Sequence, residues 1–192
     1  RAYPYAFCLS LAYELKDGIL FMEYQVENRD QRDMWYAIGA HPGFNCPMEE
    51  GFAFEDYQLV FEKEENTVSI PYDLDQLHFS PSKPGTRLRG RTLSLKREMF
   101  KNDAVFFDKL NSRAVSILNP ATGHGVEVGF PGFETVAFWT LYPEPAPYLC
   151  VEPWNGSGIY ENEDDQLSHR HHIQHLCPGD SCSYIMTIRI LG

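Results

Sequence analysis

The sequence lacks any apolar run near the roughly 18 residues that a membrane-spanning helix requires. Basic residues are scarce, since 16 Lys and Arg stand against 27 Asp and Glu, for a formal net charge of -11. That charge argues against nucleic acid and anionic membranes as partners, because both bind basic surfaces. Repeats and low-complexity tails are absent as well, so we expect one domain over residues 1–192.

Cysteine is sparse, and its number is odd. The five cysteines are Cys8, Cys46, Cys150, Cys177 and Cys182. Two of them, at positions 8 and 150, lie in apolar, strand-like runs, so we interpret the thiols as buried or free and expect a reducing, cytoplasmic location. A Cys177–Cys182 disulfide is the alternative.

Patterns with the 3.6-residue period of a helix are missing, and at most a turn or two of helix is expected, near 96–102. Apolar residues instead alternate with a period of two over 5–15 and 20–26, and Asp17-Gly18 between them predicts a tight hairpin. Further strands are predicted at 34–39, 57–62, 104–107, 113–118, 125–130, 135–140, 148–152 and 183–190. Loops rich in Pro and Gly, such as "SPSKPGTRLRG", separate them. The class is therefore all-β and mostly antiparallel, a sandwich or a barrel.

The stretch "WYAIGAHPGFNCPM", residues 35–48, surrounds a histidine with turn-forming residues. Gly39, Pro42 and Gly43 allow a sharp turn and leave His41 as the only large polar side chain at its centre. This arrangement fits either a turn with an incidental histidine or a binding site built around one.

The stretch "PYLCVEPWNGSG", residues 147–158, places a carboxylate at the end of an apolar strand. Glu152 precedes Pro153 and Trp154, and partial desolvation there would raise its pKa and make it a better base. The alternative is an exposed glutamate at a strand end with no role. Together, the Glu152 carboxylate and the His41 imidazole could move one proton onto an oxygen atom and remove another from one.

Two clusters of potential metal ligands are interpreted as solvated loops. Histidines four positions apart in "SHRHHIQH", residues 168–175, could bind zinc, but Pro178-Gly179 breaks the segment and the glutamate of a metalloprotease motif is absent. The acidic run "ENEDDQ", residues 161–166, lacks the glycine and distal glutamate of a calcium loop. We predict no metal site and no cofactor.

Four segments, in this order and character, resemble one family. "IGAHPGFNCP" resembles the histidine motif of the aldose 1-epimerase (galactose mutarotase-like) family, and "FPGF…VAFW…YLCVEPWNG" resembles its C-terminal carboxylate segment. "NDAVFFDKL" and "HLCPGDSCSYIMTI" fall in the expected places between and after them. The resemblance covers essentially all 192 residues and is closest to a bacterial branch with hexose-phosphate-like epimerases. It implies an antiparallel β-supersandwich that interconverts the α and β anomers of an aldose or aldose phosphate.

The resemblance also implies roles for individual residues. Glu152 matches the base that takes the proton from the C1 hydroxyl, and His41 matches the acid that gives one to the ring oxygen. The ring then opens, and closure on the other face inverts C1. These roles imply that His41 and Glu152 line one cleft, on facing sides of a space the size of a pyranose ring. Asp103 matches an aspartate that holds sugar hydroxyls, with Asp108 as a nearby competitor.

Two tryptophans, Trp139 and Trp154, are expected to form a stacking wall for the sugar, an inference from their positions beside the site. The alternative function is a non-catalytic carbohydrate-binding domain that has lost turnover.

The start of the sequence falls after the point where the family carries an arginine and a second histidine. We therefore expect an N-terminally truncated member of the family. The sequence also begins directly in a strand, and such a strand would normally have a partner strand on each side. An open sheet edge predicts either partner strands from a second copy, giving a homo-oligomer, or poor solubility.

Overall fold

Strands make up nearly all of the regular structure in the computed structural model, which describes residues 3–164 and 166–192. The strands are β1 (Phe7–Lys16), β2 (Ile19–Asn28), β3 (Met34–Tyr36), β4 (Ile38–Gly39), β5 (Gly43–Asn45), β6 (Gln58–Val68), β7 (Tyr72–Asp73), β8 (His78–Phe79), β9 (Arg87–Ser94), β10 (Val105–Phe107), β11 (Ala114–Leu118), β12 (Gly125–Gly129), β13 (Thr135–Trp139), β14 (Tyr148–Asn155), β15 (Gln174–Leu176) and β16 (Ser181–Leu191). Short 3-10 helices span Phe54–Asp56, Arg97–Phe100 and Leu167–His169. The predicted all-β class is confirmed, and the helix expected near 96–102 is a single 3-10 turn.

Two antiparallel sheets form the sandwich. The larger has seven strands in the order β1-β2-β16-β12-β11-β6-β9, and the smaller has β10-β13-β14-β4 with β5 also paired to β14. Buried side chains from both sheets form one apolar core: Phe61 of β6 packs edge-to-face on Phe138 of β13, with ring centroids 6.0 Å apart. Each such side chain contributes roughly 1.5–3 kcal/mol of burial free energy. The expected antiparallel β-supersandwich is therefore the observed fold.

The hairpin β1–β2 forms as the alternation predicts. Asp17 and Gly18 both have positive φ, 51° and 76°, as a two-residue turn with the twist of antiparallel strands requires. In β2, Tyr24 and Val26 are buried while Glu23 and Gln25 are exposed, so one face of the strand is apolar and the other is wet.

Strand β1 differs from expectation in its surroundings. Among the described residues it pairs with β2 alone, so it lies at a sheet edge rather than between two neighbours. Its alternating apolar side chains are largely exposed, most of all Leu15 at 76%; they are Phe7, Leu9, Leu11, Tyr13 and Leu15. Edge strands of this length and character are prone to pair with another chain.

The segment "SPSKPGTRLRG" is a loop only in its first part. Residues from Arg87 onward form β9, which pairs with β6 across a register shift between Val60 and Glu65. Gly90, at φ 87°, lies where pairing resumes, a backbone position that side chains disfavour. The prediction of a loop over 80–90 was therefore wrong for its last four residues. The Pro and Gly residues of the segment predicted a loop more strongly than its weak apolar alternation predicted a strand.

The cysteines are all free. Cys46 and Cys150 are buried, Cys8 and Cys182 are half-buried, and Cys177 is exposed. The alternative Cys177–Cys182 disulfide is thus not formed. Within the described part of the chain, no helix is both long and apolar enough to cross a membrane.

Candidate active site

His41 and Glu152 face each other across two neighbouring strands. Strands β4 and β5 both pair with β14, in registers that place Gly39 opposite Trp154 and Gly43 opposite Cys150. The segment between β4 and β5 keeps this register, since the Ala40 amide donates to the Pro153 carbonyl at 3.0 Å and the Val151 amide to that of Pro42 at 3.2 Å. His41 is therefore the cross-strand neighbour of Glu152. Side chains at such positions lie on the same face of a sheet and in contact.

The glycines on either side of His41 are explained by this register. A Cβ atom on Gly39 would lie 2.5 Å from Cδ1 of Trp154, closer than two such atoms approach. A Cβ atom on Gly43 would lie 3.5 Å from the Cys150 sulfur, an ordinary van der Waals contact. Glycine at position 39 is therefore required by the Trp154 ring that packs over it, whereas position 43 has room for a small side chain.

The two functional groups differ sharply in exposure. The His41 side chain is 59% exposed and that of Glu152 only 3%, and their Nε2 and Oε1 atoms are 3.2 Å apart. The geometry is not that of a hydrogen bond, and Oε1 has no hydrogen-bond partner among the described residues. A buried carboxylate oxygen without a partner costs stability unless it is protonated.

The burial of Glu152 changes the pKa values of the ionisable groups at the site. Desolvation, and secondarily the negative charge of Asp103, raise the pKa of Glu152 from 4.5 to about 8. Desolvation and the charge of Glu152 likewise raise the pKa of the Cys150 thiol to about 11. A carboxyl group with such a pKa can both hold and release a proton near neutral pH, which suits general acid–base chemistry.

The two tryptophans border this pair. The Trp139 ring lies edge-on to His41 with centroids 6.0 Å apart, and on its other side it contacts Tyr148. Trp154 packs against Phe106 and lines, with His41, a cleft of about 290 Å³ whose walls are 37–41 and 154–157. Aromatic side chains thus lie on both sides of the acid–base pair.

The two candidate aspartates occupy different surroundings. Asp103 sits at a turn before β10 with φ 77°, and its charge acts on Glu152. Asp108 follows β10 and borders another cavity, of about 510 Å³, together with Lys109, Tyr160 and His172. Of the two, only Asp103 influences the carboxyl group of the candidate site.

The expected gap between acid and base is not observed. His41 and Glu152 do come together, but they touch each other instead of standing on opposite sides of a ring-sized space, and His41 lines the cleft whereas Glu152 does not. The C1 hydroxyl and the ring oxygen of a pyranose are bonded to the same carbon, so two adjacent groups can reach both from one side.

The histidine-rich segment does not gather into one cluster. Each of its histidines has an acidic neighbour: His169 contacts Asp164, His171 contacts Glu163, His172 contacts Glu134 and His175 contacts Asp33. Of the acidic run 161–166, Asp165 lies outside the described residues. The segment is not a loop throughout, because it contains the 3-10 turn Leu167–His169 and strand β15, but His169, His171 and His175 are exposed, as the solvated-loop interpretation expects.

Cys150 also lies beside His41 and Glu152, although its sequence context did not predict a role at the site. Its sulfur, the His41 imidazole and the Glu152 carboxylate lie within 4.8 Å of one another. The signal was present in "CVEPW", because positions 150, 152 and 154 share one face of a strand with a period of two.

Comparison with known proteins agrees with the resemblance of the motifs. The family model for aldose 1-epimerase matches residues 1–174. Protein LacX (plasmid) of Lactococcus lactis subsp. lactis is 32% identical over 193 residues, which cover 99% of this chain and 64% of LacX. The chain therefore spans less than two-thirds of the length of that curated relative.

Solved structures show the same fold. A galactose mutarotase related enzyme from Lactobacillus acidophilus superposes with a TM-score of 0.89 at 26% identity, covering 98% of this chain and 62% of that one. A galactose mutarotase-like protein from Lactobacillus casei ATCC 334 gives a TM-score of 0.82 at 20% identity, covering 98% and 64%. The chain belongs to the aldose 1-epimerase family.

Proposed function

We propose that the protein interconverts the α and β anomers of an aldose or aldose phosphate, with Glu152 and His41 as its acid–base pair. The observation that carries the proposal is the contact between a buried, unpartnered carboxylate oxygen and an exposed imidazole, 3.2 Å apart, beside a cleft. Family membership supports a sugar isomerase of this kind.

In the proposed reaction, Glu152 takes the proton of the C1 hydroxyl while His41 gives a proton to the ring oxygen. The C1–O5 bond breaks, the open-chain aldehyde rotates about its C1–C2 bond, and closure from the other face reverses both proton transfers. The atoms and protons balance within the substrate and the two side chains.

Access to Glu152 requires His41 to move. The carboxylate is 3% exposed, whereas the imidazole in contact with it is 59% exposed and flanked by glycines. An incoming sugar displaces the imidazole from Oε1 toward the ring oxygen, which separates the two groups by the distance that the reaction needs. Asp103 is proposed to hold sugar hydroxyls, and Trp139 and Trp154 to stack on the ring.

The test is the rate of anomer interconversion above the spontaneous rate. Polarimetry on freshly dissolved α-glucose and exchange NMR on glucose 6-phosphate cover the neutral and phosphorylated substrates. Glu152→Gln and His41→Asn should each lower the rate by roughly a hundredfold or more, because general acid–base groups contribute about 10²–10⁴. The two losses should not multiply, since both groups act in one proton-transfer scheme.

His124 offers a matched control. It is 54% exposed and contacts Glu49 at 2.9 Å, so it resembles His41 in exposure and partner. His124→Asn should keep the parent rate.

A Glu152→Gln protein that equilibrates anomers at the parent rate would eliminate the assignment. A parent protein that binds sugar but never exceeds the spontaneous rate would instead establish the non-catalytic carbohydrate-binding domain.

A further inference from the structure

The face of β14 that carries Glu152 also carries Cys150, two residues earlier. Both side chains are buried, at 3% and 4% exposure, and both come from one regular strand whose position is fixed by its neighbours β13 and β5. Opposite them, Gly43 places no side chain over the sulfur, and the exposed His41 imidazole contacts Glu152 at 3.2 Å. The site thus combines a thiol, a carboxylate and an imidazole.

We propose that Cys150, Glu152 and His41 form a binding site for a thiophilic divalent cation of the zinc class. Their three donor atoms lie within 4.8 Å of one another, and Nε2 and Oε1 are 3.2 Å apart. In a tetrahedral zinc site, bonds of about 2.0–2.3 Å place neighbouring ligand atoms about 3.3–3.6 Å apart. The imidazole and carboxylate already lie close to that distance, and the thiol sulfur lies within 4.8 Å of both.

The unpartnered Oε1 atom of Glu152 points to a ligand independently of the spacing. It is buried without a hydrogen-bond donor among the described residues, and a metal ion would satisfy it. Sulfur and imidazole ligands favour zinc over calcium or magnesium, which take oxygen ligands. On binding, the S–H bond of Cys150 breaks and the carboxyl group of Glu152 gives up its proton; both protons leave to solvent as the metal–sulfur and metal–oxygen bonds form. Three protein ligands leave the fourth position of a tetrahedral site for water.

A second cluster in the chain has the same ligand types but a different setting. Asp33, His175 and Cys177 also lie within 4.8 Å of one another, yet all three are exposed. Their polar atoms are solvated, and His175 already contacts Asp33 at 3.2 Å. Exposed groups of this kind are common without a metal, so this cluster serves as the internal control.

The consequence for activity follows from the identity of the ligands. A cation held by Glu152 and His41 occupies the base and immobilises the acid, so zinc should inhibit the proposed epimerase reaction. Binding itself is independent of that reaction, and it is therefore measured without turnover.

The experiment uses Co²⁺ and Zn²⁺ with the chain carrying Cys177→Ser, which removes the thiol of the exposed cluster. Co²⁺ should give a thiolate-to-metal charge-transfer band, and Zn²⁺ should displace it. Adding Cys150→Ser should remove the band and weaken zinc binding at least tenfold, because even second-shell substitutions cost about 10–100-fold. A band lost with Cys177→Ser alone, or kept when both thiols are replaced, would overturn the proposal.

A second measurement avoids replacing a buried residue. X-ray absorption of the zinc-loaded Cys177→Ser protein should show one sulfur at about 2.3 Å and nitrogen or oxygen ligands at about 2.0–2.2 Å. A first shell of nitrogen and oxygen alone would exclude Cys150 as a ligand. Neither result depends on whether the protein epimerises sugars, so failure of this site and failure of the proposed function remain distinguishable.

Discussion

Replacing Glu152 by Gln should stabilise the fold at alkaline pH while it removes the proposed base. Glutamine keeps the size and polarity of the side chain but never has to be ionised in a buried place. The burial that raises the pKa of Glu152 from 4.5 to about 8 is a cost to the folded protein whenever the group is ionised in the unfolded chain.

The sign and size of the effect follow from linkage. Below pH 4.5 both states hold the proton and there is no cost. Between pH 4.5 and about 8 the unfolded chain releases the proton while the folded protein keeps it, so the free energy of unfolding falls as pH rises. Above about 8 the cost is constant. At about 1.4 kcal/mol for each pH unit, it reaches at most about 5 kcal/mol, less if His41 moves and admits water.

Urea unfolding at pH 4 and pH 9, in buffer with a chelator, measures the difference. Glu152→Gln should match the parent at pH 4 and be more stable than the parent by several kcal/mol at pH 9, with an unchanged m-value. Glu127→Gln is a matched control, because that glutamate lies at the surface and pairs with Arg189. A Glu152→Gln protein whose advantage over the parent does not grow with pH would refute the view that this carboxyl group is desolvated.

The remaining predictions concern charge at the site and the exposed edge strand. The rate of anomer interconversion should have a bell-shaped dependence on pH, because Glu152 must have lost its proton while His41 still holds one, and the limb that reports Glu152 should lie near pH 8. In Asp103→Asn that limb should move to lower pH, because the neighbouring like charge is gone; an unmoved pH–rate profile would contradict this. Replacing Leu11 and Leu15 of β1 by Lys should reduce concentration-dependent association in sedimentation, while Ala12→Lys, on the other face of the strand, should not. Equal sedimentation of both variants would exclude the apolar face as the cause.

Local patterns were sufficient where neighbours in sequence are neighbours in space. The hairpin β1–β2 could be predicted because Asp17 and Gly18 tolerate positive φ and the flanking residues alternate. The identity of the candidate acid and base could also be predicted, since His41 and Glu152 each stand out as a single polar group in an apolar, turn-rich segment.

Pairing between distant segments could not be predicted from the pattern. Nothing local to β5 or β9 reveals a partner, because a strand of three residues or one interrupted by Gly90 carries almost no periodicity. The direct contact of His41 with Glu152, and the inclusion of Cys150, arise from the register of β14 with two other strands. Register is a tertiary property, so the space between the two groups was predicted wrongly.

The position of β16 in the larger sheet has a consequence for how the protein reaches its native state. This strand lies between β2 and β12, and it pairs with β2 over residues roughly 150–170 positions apart in the chain. The hairpin β1–β2 can form early, because its turn is local, but it can join the rest of the sheet only through β16. Contacts of such long range require closure of a long loop, whose entropic cost comes before the contacts add any stability. Docking of the hairpin should therefore be a late and slow folding event. During that interval the apolar side chains of β2 are uncovered, which makes the unassembled hairpin the part of the molecule that is most exposed to aggregation.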